Sequence, residues 1–325
     1  MRPALLLVAL AASIAAQPKL LVNAQVDTRS AAGGLEPAFR SLLAARPQPA
    51  WIGWSAPAVR TWGLDCQYVR DGGSNGSGVV HLEPPDHMLV LLRIEDGAVE
   101  RMRAVSADCE VDAGGVPVHW LNDVQPAQSV ALLESLAGKT GNAVFAIAMH
   151  ADPAADAALD RFLAASEPQT LRLRAVGYLG STRGKHGVEV LRRVIDNDPD
   201  LRVRERAVSS LGASREPEAA ALLLQIAKSG QEPRLRAQAV SALGRRSGRE
   251  TVATLRGIAE TDADKTVRRR AISALESMPD GEGIPTLIEM AKSSKDLETR
   301  KEAMTALERS RDPRTIAFFE DVLKQ

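Results

Sequence analysis

The stretch RAVGYLG, from Arg174 to Gly180, is one copy of a phrase that returns along the chain at a constant interval. Its Ala-Val pair begins at Ala175, and the equivalent alanines stand at Ala143, Ala207, Ala239, Ala271 and Ala303, so every step is 32 residues. A fixed period of 20–50 residues is the signature of a solenoid of stacked repeats. The sequence therefore predicts a repeat array in the second part of the chain.

Each repeat shows two apolar stripes at helical spacing, separated by a break. Leu171, Ala175 and Leu179 form the first stripe, and Leu191 and Val194 belong to the second. Spacings of three and four residues place such side chains on one face of a helix. Each repeat is thus predicted to be a hairpin of a first and a second helix, which buries its stripes against its neighbours. The second helices carry two apolar columns: Leu159, Leu191, Leu223, Leu255, Leu287 and Phe319, and Phe162, Val194, Ile226, Ile258, Met290 and Val322.

Charged residues recur in the same register and mark the helix starts. An acidic residue followed by Pro suits the start of a second helix, because Pro at the first helical position loses no hydrogen bond. This column holds Asp152-Pro153, Glu216-Pro217 and Asp312-Pro313, with Asp280-Gly281 at the same position. The first helices have their own acids four residues before an arginine, which predicts a structural ladder of ion pairs. The ladder consists of Asp200, Glu232, Asp264 and Asp296 with Arg172, Arg204, Arg236, Arg268 and Arg300.

The segment from Val203 to Leu211, VRERAVSSL, resembles the HEAT-repeat family, and more narrowly the short bacterial HEAT repeats also seen in phycobilisome lyases. The resemblance spans residues 126–325. It implies a mainly α protein in which a HEAT-type α-solenoid of about six 32-residue hairpins follows a smaller domain. HEAT-repeat proteins mostly bind other proteins, so we expect a protein partner.

The resemblance also implies that the second helices line the concave face of the array. On that basis we expect the partner to contact polar positions of the second helices outside the apolar columns. These positions are Arg161, Arg192, Arg193, Gln225, Arg256 and Glu289.

The N-terminus is predicted to be a signal peptide, residues 1–16. One basic residue, Arg2, precedes a short apolar run, and small residues lead to Gln17, which predicts cleavage after Ala16. The run is too short to span a bilayer. We therefore expect a periplasmic or secreted protein that is not inserted in the membrane after cleavage.

Residues 17–125 differ in character and predict a small α+β or β-rich domain without a known family motif. Trp51, Trp54, Trp62 and Trp120 all lie here, and the 32-residue register is absent. The pattern predicts a helix over 35–45, a hairpin of strands 87–94 and 99–105 around Asp96-Gly97, and a strand over 116–121. Residues 20–28 are a weaker strand candidate, and 70–78 form a glycine-rich loop.

The domain also carries the two cysteines of the chain, Cys66 and Cys109. An even number of cysteines in an exported chain favours a disulfide between them, and the alternative is a pair of free thiols. Their separation excludes a C-x-x-C redox motif.

No catalytic or cofactor motif is recognisable, so we expect a non-enzymatic protein without a cofactor. The formal net charge is zero, and the repeats contain no Trp, which argues against nucleic acid as the partner. We expect a monomer that acts as a scaffold for another protein. Two alternatives remain: an enzyme or enzyme subunit of the lyase type, and a binding module in residues 17–125.

Overall fold

The computed structural model describes residues 21–45, 49–59 and 86–324. The chain divides into two compact units, Met1–Ala155 and Asp156–Gln325. The predicted signal peptide, Cys66 and the glycine-rich loop 70–78 lie outside the described residues. Among the helices that are described, none combines the length and the apolar character needed to cross a membrane.

The first unit is built on a mixed β-sheet. Its strands are β1 (Leu21–Val22), β2 (Gln25–Ser30), β3 (Ala50–Pro57), β4 (His87–Glu95), β5 (Ala98–Ser106), β6 (Val111–Asp112) and β7 (Pro117–Asn122). Its helices are α1 (Leu35–Ala44), α2 (Pro126–Leu136) and α3 (Gly141–Met149). The main sheet has the order β2-β7-β3-β4-β5, with β2, β7 and β3 parallel and the other neighbours antiparallel. Strands β1 and β6 form a separate parallel pair.

The hairpin β4–β5 turns at Asp96-Gly97, where both residues have positive φ, as a two-residue hairpin loop requires. The predicted helix 35–45, this hairpin and the strand over 116–121 are therefore confirmed. Strand β3 was not predicted, although it lies between β7 and β4 at the centre of the sheet. Its Gly53 leaves room for the Trp120 ring, because a Cβ at position 53 would lie only 2.9 Å from that ring.

Two tryptophans of the first unit lie in its core. Trp54 and Trp120 are almost fully buried. The indole Nε1 of Trp54 donates a hydrogen bond of 2.9 Å to Ser129 Oγ on α2. This bond satisfies the polar atom of a large apolar side chain, as a buried Trp requires.

The second unit consists of helices in the predicted alternation. The first helices are α5 (Gln169–Thr182), α7 (Leu201–Leu211), α9 (Pro233–Leu243), α11 (Lys265–Glu276) and α13 (Leu297–Arg309). The second helices are α4 (Ala154–Phe162), α6 (Gly184–Asn197), α8 (Pro217–Ser229), α10 (Arg249–Thr261), α12 (Ile284–Ser293) and α14 (Pro313–Leu323). The predicted fold class, an α-solenoid preceded by a sheet-containing region, is confirmed.

The apolar columns of the second helices are buried as far as the last repeat. In the first column Leu159, Leu191, Leu223, Leu255 and Leu287 all have 0 % exposure. In the second column Val322 of α14 is 42 % exposed, whereas Met290 at the same position of α12 is buried. The difference arises because each column is covered by the following repeat, and α14 is the last described helix.

Three of the four acidic residues before the first helices act as helix caps, whereas Glu232 makes no such side-chain bond. The carboxylate of Asp264 accepts hydrogen bonds from the backbone N–H groups of Thr266 and Val267, and Asp200 and Asp296 accept equivalent bonds. They satisfy donors that a helix start leaves free. The interpretation of Asp280-Gly281 as a helix start is wrong. Both residues have positive φ within a 3-10 turn, and α12 begins only at Ile284.

Neighbouring first helices approach each other more closely than neighbouring second helices do. A Cβ at Gly244 would lie 2.9 Å from Ala274 Cα on the next first helix, and one at Gly212 would lie 3.0 Å from the Cβ of Ala242. We call the layer of the more closely packed first helices the inner layer and the layer of the second helices the outer layer, names that refer to packing distance alone. That the second helices line the concave face of the array stays a prediction.

Gly180→Ala should lower the free energy of unfolding by about 1–3 kcal/mol, because overpacking forces neighbouring groups to shift. The added Cβ would overlap the backbone carbonyl of Ser210 on α7. Urea denaturation would measure the change. The matched control is Gly257→Ala inside α10, where no atom lies within 4 Å of the new Cβ. That variant should gain about 0.5–1 kcal/mol from helix propensity. Equal effects of both substitutions would contradict the close approach.

Candidate functional site

The ladder arginines of the first helices reach into the loops between repeats. Arg236 forms a two-pronged pair with Asp262, with Nε to Oδ2 and Nη2 to Oδ1 both at 2.9 Å. Both side chains are largely buried. Arg172 makes the equivalent contact with Asp198 two repeats earlier in the chain. These bonds join a first helix to the loop that precedes the next first helix.

Other ladder arginines bind backbone carbonyls at the ends of second helices. Arg204 Nε donates to the carbonyl of Ile195, and Arg268 Nη1 donates to that of Asp262, both at 2.7 Å. The prediction that each ladder arginine pairs with the acid four residues earlier is therefore wrong for these positions. That acid is already engaged by the N–H groups of its own helix, whereas the long arginine side chain reaches carbonyls that have no helical partner.

The pKa values of the loop and cap acids reflect these contacts. Burial raises the pKa of Asp262, but hydrogen bonds from Arg236 and from the backbone N–H of Asp264 outweigh burial and leave it below 3.8. The hydrogen bond from the Gln169 side chain lowers the pKa of Asp200. These carboxylates are therefore held in their charged form, which in Asp262 is the form that binds Arg236.

The six polar positions predicted on the second helices lie in the outer layer. Arg192, Arg193 and Gln225 are exposed. Arg256 is engaged within the array, since it pairs with Glu260 at 3.2 Å and with Glu289 at 2.6 Å. The predicted set is thus divided: an open part on α6 and α8, and a part between α10 and α12 that is neutralised internally. Arg161 on α4 is also exposed at the surface.

A cavity of about 320 Å³ opens between α4 and α6. Its apolar lining comes from Leu163, Val190 and Val194, and its polar lining includes Asp160 and Arg193. Arg193 Nη2 lies 3.5 Å from Asp160 Oδ2, and the arginine side chain is 66 % exposed. The structure therefore places one predicted residue, Arg193, at an apolar depression with a charged rim. Such depressions receive anchoring side chains at protein interfaces.

The sequence reading did not single out the exposed arginines of the first helices. Arg174, Arg202, Arg206 and Arg270 are all exposed on the inner layer. Arg246, in contrast, is engaged by the carbonyls of Leu211 and Ser214. The signal in the sequence is the excess of arginine over acidic residues in the first helices, which is absent from the second helices.

The first unit offers no metal-binding set among its described residues. No group of three or more His, Cys, Asp or Glu side chains that could hold a metal is found in the described ranges of the whole chain. The carboxylate of Asp112 accepts a hydrogen bond of 2.7 Å from the backbone N–H of Gly114 and so closes a local turn. Cys109 is buried against Leu89 and Trp120, and since Cys66 lies outside the described residues, the disulfide stays a prediction.

Comparison with known proteins identifies the repeats. The family model for HEAT repeats matches residues 155–244 and 252–325, which together make up just over half of the chain. The chain belongs to the HEAT-repeat family. No curated protein matches the sequence.

Two solved structures are similar in part. One is the complex of CpcE and CpcF of phycocyanin lyase from Nostoc sp. PCC7120, at 23 % identity over 48 % of this chain and 99 % of that chain, with a TM-score of 0.35. The other is human deoxyhypusine hydroxylase in complex with glycerol, at 15 % identity over 60 % of this chain and 90 % of that chain, with a TM-score of 0.28. Both TM-scores are below 0.5, so family membership rests on the repeat model.

Asp262→Asn should lower the free energy of unfolding at pH 7 by about 1–3 kcal/mol, because the variant loses a charge-assisted pair with Arg236. The pKa of Asp262 is lowered in the folded state, so its contribution is present above the unfolded value and is lost as the pH falls through the folded one. The difference between variant and wild type should therefore shrink below pH 3.8.

Urea denaturation at pH 7 and at about pH 3 would measure both effects. The control is Glu205→Gln, which breaks the pair with Arg234, whose side chain is 61 % exposed. This pair should contribute less than about 1 kcal/mol. A larger loss for Glu205→Gln than for Asp262→Asn would contradict the role assigned to the loop pair.

Proposed function

We propose that this protein is an exported, non-enzymatic scaffold that binds another protein through its HEAT repeats. The observation that carries the proposal is the cavity between α4 and α6, where the predicted contact residue Arg193 stands beside an apolar lining. Arg192 on α6 and Gln225 on α8 are exposed as well. We call the set Arg161, Arg192, Arg193 and Gln225, with the cavity, the outer docking surface.

The physical character of this surface suits a protein partner. A side chain of a partner can fill an apolar depression while the charged rim pairs with polar groups around it, and such anchors contribute most of the binding energy at interfaces. Arg193 keeps most of its side chain in solvent, although it contacts Asp160. It is therefore available for a partner carboxylate at little cost.

The non-enzymatic part of the proposal rests on the sequence, in which no catalytic motif is recognisable. Export rests on residues 1–16, and the periplasm or the extracellular medium follows as the place of action. In either compartment the proposed Cys66–Cys109 disulfide would be stable. A monomeric scaffold is proposed because each repeat already buries its apolar stripes against its neighbours.

Arg192→Glu combined with Arg193→Glu should reduce capture of the partner at least tenfold, a loss of about 1.4 kcal/mol or more, because the rim charge is reversed. The experiment uses the mature full chain as bait in a native envelope fraction. Mass spectrometry identifies the partner, and its recovery is compared between variants.

The matched control is Arg215→Glu combined with Arg249→Glu, which changes the net charge equally at exposed positions outside the outer docking surface. Recovery with this control should equal that with wild type. If no protein is recovered specifically with wild type, the scaffold function is wrong. If a partner is recovered equally with all three chains, the function stands and the outer docking surface is wrong.

Export is tested by the N-terminus of the protein isolated from cells. Cleavage after Ala16 should leave Gln17 as the first residue, because signal peptidase cuts after small residues that follow an apolar run. Peptide mass mapping of the envelope fraction would detect this end. A protein that retains Met1 and stays in the cytoplasm would contradict the proposed location.

A further inference from the structure

Positive charge is concentrated in the inner layer of the array. The five first helices α5, α7, α9, α11 and α13 carry fourteen Lys and Arg against five Asp and Glu, a difference of +9. The five second helices of the same repeats, α6, α8, α10, α12 and α14, carry eight of each. The chain as a whole is neutral. Global neutrality therefore conceals a strongly basic inner layer.

Part of this charge is used inside the protein. The ladder arginines described above bind loops, and Arg234 pairs with Glu205. Near the last repeat, Lys265 and Arg269 share Glu298, at 3.0 and 3.4 Å, and Arg309 pairs with Glu276. The basic face is thus neutralised towards α13 by its own carboxylates.

Four exposed arginines of the first helices have no carboxylate partner among the described residues. Within the described ranges, no acidic side chain lies within salt-bridge distance of Arg174, Arg202, Arg206 or Arg270, and all four are exposed. We call this set the arginine row. Three of its members, Arg174, Arg206 and Arg270, occupy the same position of their repeats, and Gln238 holds that position on α9.

Packing between α5 and α7 places the Arg206 side chain against the helix that carries Arg174. The guanidinium of Arg206 on α7 occupies the space that a side chain at Gly177 on α5 would fill. Gly177 lies one turn after Arg174, and Arg202 lies one turn before Arg206, so three like charges share one region of α5 and α7. Like charges one turn apart on a helix, such as Arg202 and Arg206, repel each other weakly in solvent. An acidic ligand bound beside all three would offset this repulsion.

We propose that the arginine row is a second docking surface, which binds an acidic segment of a protein partner. It goes beyond the function proposed above, which uses the outer docking surface. The row crosses four first helices, and at 8–10 Å per helix step it spans about 25–30 Å. At about 3.3 Å per residue, an extended acidic segment of eight or nine residues would cover it.

The other side chains of the first helices favour an acidic protein segment over nucleic acid or an anionic lipid surface as the ligand. Tyr178 is the single aromatic residue in the five first helices, and it is half-buried, so there is no exposed stacking platform for bases. Glu205, Glu298 and Glu302 lie among the arginines and would repel a continuous phosphate backbone. In the described part of these helices the one exposed large apolar side chain is Leu297, too little for insertion into a lipid surface.

The test uses the mature full chain and a fluorescent peptide of about ten residues rich in Glu and Asp, a length that covers the row in extended form. Fluorescence anisotropy at low salt should show binding that weakens as the ionic strength rises. Arg174→Glu, Arg206→Glu and Arg270→Glu combined should lower the affinity at least about tenfold, because attraction becomes repulsion. Replacing the same three residues by Lys should retain most of the binding.

The control combines Arg215→Glu, Arg249→Glu and Arg311→Glu, which give the same change in net charge at exposed positions away from the row. This control should stay within about threefold of wild type, since distant exposed charges are screened. Circular dichroism and thermal melting establish that both variants are folded.

Several results would overturn the inference: no binding of the acidic peptide by wild type, equal loss in both triple variants, or tighter binding of an oligothymidylate or an anionic vesicle of equal charge. None of these would affect capture through the outer docking surface. Conversely, capture of the partner that is unchanged by Arg192→Glu and Arg193→Glu, together with intact peptide binding, would refute the outer docking surface alone.

Discussion

The array depends on the close approach of neighbouring first helices, which is possible only where one of two facing side chains is very small. Gly180 faces Ser210, Gly212 faces Ala242, and Gly244 faces Ala274. The missing side chains let backbones meet, and dispersion contacts between them replace the contacts of larger side chains. Because the second helices keep bulkier columns between them, the two layers differ in spacing.

The two layers differ in the side chains that they present to solvent. On the inner layer, positions that are 32 residues apart stand on adjacent helices, so a single arginine position becomes a row of charges. On the outer layer, larger apolar residues such as Leu163 and Val194 leave a cavity between second helices. One repeated hairpin therefore supplies both proposed docking surfaces, one that depends on charge and one that depends on shape.

The arginines of the first helices illustrate how burial separates structural from available charge. Arg172 and Arg236 are largely buried and meet loop carboxylates that are also buried. Removal of either partner would leave an uncompensated charge, so these pairs are fixed parts of the fold. Arg174 on α5 and Arg206 on α7 also belong to first helices but are exposed to solvent, where a charge is inexpensive to keep and free to bind. Their difference is a matter of position on the helix, not of residue type.

The sequence by itself determined the solenoid, because a 32-residue period with apolar residues at helical spacing can be satisfied only by stacked hairpins. It also determined the caps at Asp200 and Asp264, the hairpin around Asp96-Gly97 and the buried column through Leu255, since each depends on neighbours within one helix or turn. Only the tertiary structure decided the partners of the ladder arginines, the central strand β3 and the inner layer. These depend on distances between helices or strands that no local pattern encodes: Arg236 reaches Asp262 across a repeat, and Gly53 is explained by the Trp120 ring.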